Sequence, residues 1–533
     1  MSQVGTDPSS RALVSRPRRI RLRASLDRLP RDLISLIFRC LNKQSPSYFN
    51  HALVCKRWNR LAYLAQTSIA NSPPRLTADA ALLASLSRFR HLTSLKIDEC
   101  VLDEDNGVFL YELGSWCPRL THLDLGNGYR EALTYEAADS LFTGCTSLQY
   151  LLLTMKTADF CGLPSSFFNL SSLTEVNLNV DFDEIPDKFD QLRFLTKLTL
   201  NDVCSDHLPE SLGYLTSLTE LQLSTSETFD RLPDSIGCLK SLVKLSIHNL
   251  DVLGTLPATI SQLQNLQEFY ANDINCLKLP DSFFQLRSLQ VLDLLYCGDI
   301  GSLPSAVSSL VSLKTLSIRS CTLSSISESL CTLSNLRVLV LRNCTMLRDL
   351  PRSMDRMTSL EHLELCQLSS LTHLPSTISK LSNLRSFSFR YCDNIDMVPP
   401  SLTQHWSSLT SLEFSWPDSC LEDSKGEDEF MSSVRQLSNL STLLLVGFVG
   451  LNSLPVGIEK LSQLRRLTLS SWPDLERLPK DMSGFTCLTN LVITGCPLFV
   501  DDDEGDPIST IPNLESGCVD GRVLGKRPFG GKG

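Results

Sequence analysis

The sequence predicts an α/β protein in two parts: a short all-helical block, then a solenoid with a parallel sheet on its concave face and irregular or helical returns on its convex face. Three observations carry this. First, one phrase recurs, as in LPDSIGCLKSLVKLSI from Leu232 to Ile247, LPDSFFQLRSLQVLDL from Leu279 to Leu294, LPSTISKLSNLRSFSF from Leu374 to Phe389 and LPVGIEKLSQLRRLTL from Leu454 to Leu469, and most neighbouring copies of its Leu-Pro pair, from Pro164, Pro186 and Pro209 onward, lie 22 to 24 residues apart. A fixed period of this size means units that bury their apolar faces only against their neighbours. Second, each unit carries Leu-x-x-Leu-x-Leu, as in Leu289, Leu292 and Leu294, and the last two leucines lie two apart, on one face of a strand. Third, the stretch from Leu26 to Ala65 places apolar residues at three- and four-residue steps, the spacing of a helix face.

The bulk numbers fit. At 533 residues the chain exceeds one ordinary core, a limit that a solenoid escapes by adding units. Apolar residues at 42% and charged residues at 20% describe a folded, soluble protein. The net charge of −10 comes without long blocks, which argues against wrapping nucleic acid. The longest apolar run, near Leu443 to Leu451, is too short to span a bilayer, and the first residues do not read as a secretory signal.

Nineteen cysteines raise the question of disulfides, and their positions answer it. Cys100, Cys297, Cys321, Cys344, Cys392 and Cys496 share one step of the repeat, where a small buried side chain would close the strand against the neighbouring turn. No Cys-x-x-Cys pair or zinc-like cluster appears. Reduced thiols and a cytoplasmic or nuclear setting are the expectation.

Taken in order, residues 1–24 form a basic leader with RPRRIRLR from Arg16 to Arg23. It reads as a disordered arm, a nuclear-import signal or a transit peptide. In residues 25–68, Leu29-Pro30 opens a helix, with Pro where its missing N–H is harmless. Leu33, Ile34, Ile37, Phe38 and Leu41 form its apolar face; after a turn at Pro46, a second run carries Leu53, Val54, Trp58, Leu61 and Leu64. Some forty residues cannot bury that much apolar surface internally, so a partner or the first repeat must cover it.

This block resembles the F-box, through Leu29-Pro30, Leu33, Ile37-Phe38, Leu41, the string Ala52-Leu53-Val54-Cys55-Lys56, Trp58 and Leu61-Ala62. The resemblance implies a module that docks on a Skp-type adaptor and through it on a cullin. Leu29, Pro30, Leu33, Ile37, Phe38, Leu41, Leu53, Val54, Cys55, Trp58 and Leu61 would be its adaptor-binding residues. The other reading of the same residues is a helical cap over the first repeat. The repeats, for their part, resemble leucine-rich repeats, recurring roughly 17 times over residues 92–496. Their Leu-Pro-x-Ser wording is similar to plant-type repeats.

After a linker at 69–91, the first units are longer. Leu92, Leu120 and Leu148 lie 28 residues apart, and LGSWCPRL and LFTGCTSL place Cys117 and Cys145 in the slot of the cysteine-containing repeats of F-box/leucine-rich-repeat proteins. Fuller helices are expected there, over residues 92–161. Shorter Leu-Pro units follow over 162–496. One is irregular: Leu409 and Leu440 are 31 apart, and the acidic insertion SWPDSCLEDSKGEDEF at 415–430 reads as a solvated loop, with a binding element as the alternative. Residues 497–533 hold DDDEGD and a polar tail; the acidic run reads as a cap edge, since it lacks the alternating ligands of a calcium loop.

No phosphate-cradling glycine loop, HExxH, GxSxG or paired catalytic carboxylate is present, so no catalytic residue, metal or cofactor is expected. Function is sought on the concave face. There the strand columns hold Asp293, Glu364 and Glu413, then Arg319, Arg342 and Arg390, then Tyr296, Tyr391 and Trp416. Neighbouring strands lie about 4.8 Å apart, so one ligand can touch several repeats, and arginine and aromatic side chains are favoured at binding hot spots. These are the candidate target-binding residues. The arginines could grip a carboxylate or phosphorylated segment, or stand neutralised by Glu364 and Glu413.

The resemblance implies a non-catalytic substrate receptor of an SCF-type ubiquitin ligase, with a protein target, no nucleic acid and no membrane among its partners. The alternatives are a leucine-rich-repeat scaffold or immune-type sensor, and an F-box protein acting outside ubiquitin ligases.

Overall fold

A computed structural model describes residues 68–70, 92–97, 107–129, 134–155, 162–182, 185–203, 205, 207–226, 230–298, 300–399, 402–420, 424–499, 507–520 and 522–524. The chain divides into two units, Met1–Leu148 and Gln149–Gly533. The basic leader, the F-box block apart from Ser68, and the DDDEGD run lie outside the described residues.

In the first unit, strands β1 (Ser68–Ala70), β2 (Ser94–Ile97) and β3 (His122–Tyr129) pair in parallel, Ser68 with Ser94 and Leu95 with Leu123. The returns are true α-helices, α1 (Gly107–Trp116) and α2 (Tyr135–Gly144), as the longer period predicts. Thr134 caps α2 by accepting the Ala137 N–H at 3.2 Å. Ala137, Ala138, Leu141 and Phe142 are its buried face. The helices touch backbone to backbone: a Cβ on Gly144 would lie 2.4 Å from the Gly114 Cα.

The second unit stacks one strand per repeat in chain order. These are β4 (Tyr150–Met155), β5 (Glu175–Phe182), β6 (Lys197–Val203), β7 (Glu220–Ser226), β8 (Lys244–Leu250), β9 (Glu268–Ile274) and β10 (Val291–Cys297). A two-residue strand, β11 (Ser302–Leu303), precedes β12 (Thr315–Arg319), and another, β13 (Ser325–Ile326), pairs with β11 beside the main sheet. Then come β14 (Val338–Arg342), β15 (His362–Cys366), β16 (Ser386–Arg390), β17 (Ser411–Ser415), β18 (Thr442–Val446), β19 (Arg466–Ser470) and β20 (Asn490–Thr494). Register is residue for residue: Phe269, Leu292, Leu316, Leu339 and Leu363 share one column, all at most 1% exposed. The core is this leucine face.

The short returns are 3₁₀ turns. Pro233 is extended (φ −66°, ψ 149°), its carbonyl accepts the Ile236 N–H at 3.0 Å, and Leu239 closes the turn on Ile236 at 3.1 Å. Five residues between Pro and Leu leave no room for an α-helix, and the tighter winding fits. The cysteine step behaves as expected at four of its positions, while Cys100 lies outside the described residues. Cys297, Cys321, Cys344 and Cys392 are buried and free, and each thiol reaches a main-chain carbonyl of the preceding repeat: Ala271, Leu294, Ile318 and Leu365, at 3.5 to 3.7 Å. Burial pushes the Cys344 and Cys392 thiols up to about 12.

Two expectations are corrected. The 415–430 insertion is not a solvated loop: it makes a 3₁₀ turn (Asp418–Cys420) and helix α3 (Ser424–Val434), with Phe430, Met431 and Val434 buried. The sheet also continues beyond Cys496. A 3₁₀ turn (Pro507–Thr510) leads into β21 (Ser516–Val519), parallel to β20, and β22 (Arg522–Leu524) folds back antiparallel on β21.

Helix α3 is tied to the next repeat by Glu427, which is 0% exposed and accepts the N–H groups of Val449 (3.0 Å) and Gly450 (2.9 Å). A buried carboxylate held this way is stable only while both donors are present. Glu427→Leu strands the half-buried Val449 N–H, while the exposed Gly450 N–H can turn to water. The expected cost is about 3 kcal/mol. A denaturant midpoint equal to that of the parent would contradict this account.

Candidate functional site

The open face of the second unit's sheet is built by the residues that alternate with the buried leucines. One column runs Tyr270, Asp293, Ser317, Val340, Glu364, Ser388 and Glu413; the next runs Asn272, Leu295, Arg319, Arg342, Cys366 and Arg390. These are the columns proposed from the sequence, in the expected register.

Their charges are spent on one another. Arg319 Nη2 donates to both Asp293 oxygens at 3.0 and 2.9 Å. Arg342 Nε lies 3.2 Å from Glu364, and Arg390 Nε 3.3 Å from Glu413, close enough for an ion pair though not aligned for a hydrogen bond. The His362 ring at 3.9 Å and the Arg342 guanidinium hold Glu364 below the usual carboxylate range, against its burial. Burial pulls the Arg390 pKa down, but Glu413, Cys366 and Tyr391 together outweigh it and the net shift is upward. Ser388 donates to Glu413 at 3.1 Å, and its hydroxyl sits 3.4 Å from the Cys366 thiol. The arginines therefore form a neutral lattice with their acids.

Tyr296 and Tyr391 stand at the end of their strands with left-handed backbone (φ 51° and 56°) and are 52% and 51% exposed. Trp416 does not join them. It is 2% exposed, donates from Nε1 to the Cys420 carbonyl at 3.2 Å and packs against Phe414, Phe430 and Phe448. Its assignment as a target-binding residue is corrected: it is a core residue. Val338, Val340, Leu295, Leu444 and Val446 are half-buried on the open face.

Earlier strands carry a second ladder at the strand start. Glu220 lies 3.4 Å from Lys197 and 3.2 Å from Lys244, and these lysines outweigh burial to lower its pKa. Among the described residues no group of three or more His, Cys, Asp and Glu could hold a metal ion, and no helix is long and apolar enough to cross a membrane.

The proposed adaptor-binding residues, Leu29 to Leu61, lie outside the described residues. They fall in residues 26–66, which match the F-box-like family. Residues 294–495 match the leucine-rich repeat region family. No curated protein matches the chain. Among solved structures, a leucine-rich repeat protein of Leptospira interrogans is 25% identical, covering 69% of this chain and 95% of its own, with a TM-score of 0.45. The TLR13–ssRNA13 complex is 20% identical over 78% of this chain and 59% of its own, with a TM-score of 0.53, a likeness of fold alone. The Arabidopsis receptor kinase HAESA ectodomain is 20% identical over 76% and 75%, with a TM-score of 0.39. The chain thus carries an F-box-like segment at 26–66 ahead of a leucine-rich repeat region at 294–495, the pairing of interaction modules that matches an F-box/leucine-rich-repeat protein.

Proposed function

We propose that the chain is the non-catalytic, substrate-binding subunit of an SCF-type ubiquitin ligase. The observation that carries this reading is the F-box-like match at 26–66 joined to a repeat sheet with an open polar face. The F-box docks on a Skp-type adaptor and thereby on a cullin, and the sheet holds a protein target. Asp293, Tyr296, Arg319, Arg342, Glu364, Arg390, Tyr391 and Glu413 belong to the target side. Ubiquitin transfer is then accelerated by local concentration and orientation of the target's lysines, with no side chain of this chain taking part in the chemistry. The cytoplasm or nucleus, where adaptor and cullin reside, is the setting this requires.

Co-precipitation of the full chain tests it. A Skp-type adaptor and a cullin are expected with the parent, and both should fall at least about tenfold with Leu53→Ala/Trp58→Ala, as for a truncated hot spot. A chain that captures neither protein acts as a scaffold or sensor instead.

A further inference from the structure

The residue just before each strand forms a separate column along the edge of the sheet. Its continuity is given by main-chain bonds: the Lys314 carbonyl accepts from Arg337, Arg337 from Glu361, Glu361 from Arg385, Arg385 from Thr410, Thr410 from Ser441 and Ser441 from Arg465, at 2.7 or 2.8 Å each. In the early repeats this edge is uncharged, with Thr174, Thr196, Thr219 and Gln267. From Lys314 onward it changes character. Lys314, Arg337, Arg385 and Arg465 are exposed there, the exposed Arg466 follows as the first residue of β19, and Glu361 is the one carboxylate among the described edge residues of this stretch.

This differs from the arginine column on the open face, where every guanidinium has its own acid. Glu361 is shared between Arg337 at 3.1 Å and Arg385 at 3.5 Å, so one carboxylate serves two guanidiniums. No ion pair within the described residues reaches Arg465 or Arg466, and Lys314 donates only to the neutral Gln290 amide, at 2.9 Å. A cavity of about 200 Å³ opens at the Arg337–Glu361–Arg385 cluster, and its other walls are the uncharged Ser359, Asn383 and Ser408. A surplus of positive charge thus lines one edge of a chain whose net charge is −10. Glu361 shows, by its own seat, that the space between these arginines accepts a carboxylate.

We infer that this edge, from Lys314 to Arg466, is the docking strip for an acidic peptide segment of the target protein. The inference rests on the receptor reading above and adds the chemistry of what is received. Six steps of about 4.8 Å make the strip about 29 Å long, and an extended peptide rising about 3.3 Å per residue covers it with about nine residues. Guanidiniums suit the planar fork of Asp and Glu side chains, and each such contact is a charge-assisted hydrogen bond. Tyr296, Tyr391 and the half-buried valines of the open face then contact whatever follows the acidic segment.

The probe is a fluorescein-labelled peptide of about nine residues alternating Glu and Ser, titrated by anisotropy against the full chain without adaptor. Binding is expected, weakening as salt rises. Arg337→Ala/Arg385→Ala and Arg465→Ala/Arg466→Ala should each weaken it about tenfold, the loss of two charge-assisted contacts. Lys197→Ala/Lys244→Ala, in a column where the two lysines alternate with Glu175, Glu220 and Glu268 and leave no positive surplus, should leave it unchanged. All these side chains are at least partly exposed, so unchanged melting temperatures will show that the variants fold. Equal affinity of the edge variants and the parent overturns the assignment. So does a larger loss from Arg319→Ala/Arg342→Ala, or an oligonucleotide of equal charge that competes better than the peptide does. Because the adaptor is absent from this titration, its failure leaves the co-precipitation result standing, and the converse holds too.

Discussion

Trp416→Ala should lower the stability of the second unit by about 4 kcal/mol, the usual cost of emptying a fully buried aromatic site. Its indole is 2% exposed and lies with ring centroids 5.2 Å from Phe448, 5.9 Å from Phe430 and 6.1 Å from Phe414. Removing it opens a cavity among rigid rings that cannot collapse into it, and it deletes the indole N–H that donates to the Cys420 carbonyl. In a solenoid the damage is local, because stability is close to a sum of unit and nearest-neighbour terms. Amide exchange in α3 should therefore accelerate far more than in β6 or β7. Trp416→Phe keeps the ring and loses only the N–H donor, so it should cost about 1 to 2 kcal/mol. Tyr391→Ala, at an exposed site one repeat earlier, should change stability by no more than about 0.5 kcal/mol. If Trp416→Ala and Tyr391→Ala shared one denaturation midpoint, Trp416 would be a surface residue after all.

That contrast explains what the sequence could and could not convey. The leucine face, the strand register and the cysteine step were legible because each follows from a period of two or from a fixed offset in the repeat. The Leu-Pro returns were legible as irregular or helical segments, and their shortness selects the 3₁₀ form. Trp416 was misassigned because its offset matches that of Tyr296 and Tyr391. Those tyrosines point outward on a left-handed backbone, whereas Trp416 is not among the positive-φ residues. Its N–H is held by the Val446 carbonyl at 2.9 Å and its side chain turns into the core. Composition hid α3: acidic residues suggested solvent, yet Glu427, Phe430, Met431 and Val434 follow a helical spacing that marks one buried face. The opposing columns of acids and arginines were visible, but pairing depends on side-chain reach between strands. The basic edge was not legible because Arg337, Arg385 and Arg465 sit one position before their strands, outside the period-two pattern.

A substitution that propensity alone would favour tests the first unit. Gly144 lies at the last position of α2, where alanine would gain up to about 1 kcal/mol of helix propensity. Against this, a Cβ there would stand 2.4 Å from both the Cα and the carbonyl carbon of Gly114 in α1. These are backbone atoms, so relief requires the helices to separate, which also pulls on the 2.7 Å bond from the Ser140 hydroxyl to the Tyr111 carbonyl. Overpacking of this kind costs about 3 kcal/mol, so the steric effect wins and Gly144→Ala should destabilise by about 2 kcal/mol net. The change should appear as faster amide exchange throughout α1 and α2, with the second unit's strands unaffected. Gly254→Ala is the matched control, since a Cβ there meets nothing within 4 Å. Should Gly144→Ala protect the two helices as well as the parent does, the close glycine contact between α1 and α2 would not be the feature that fixes their packing.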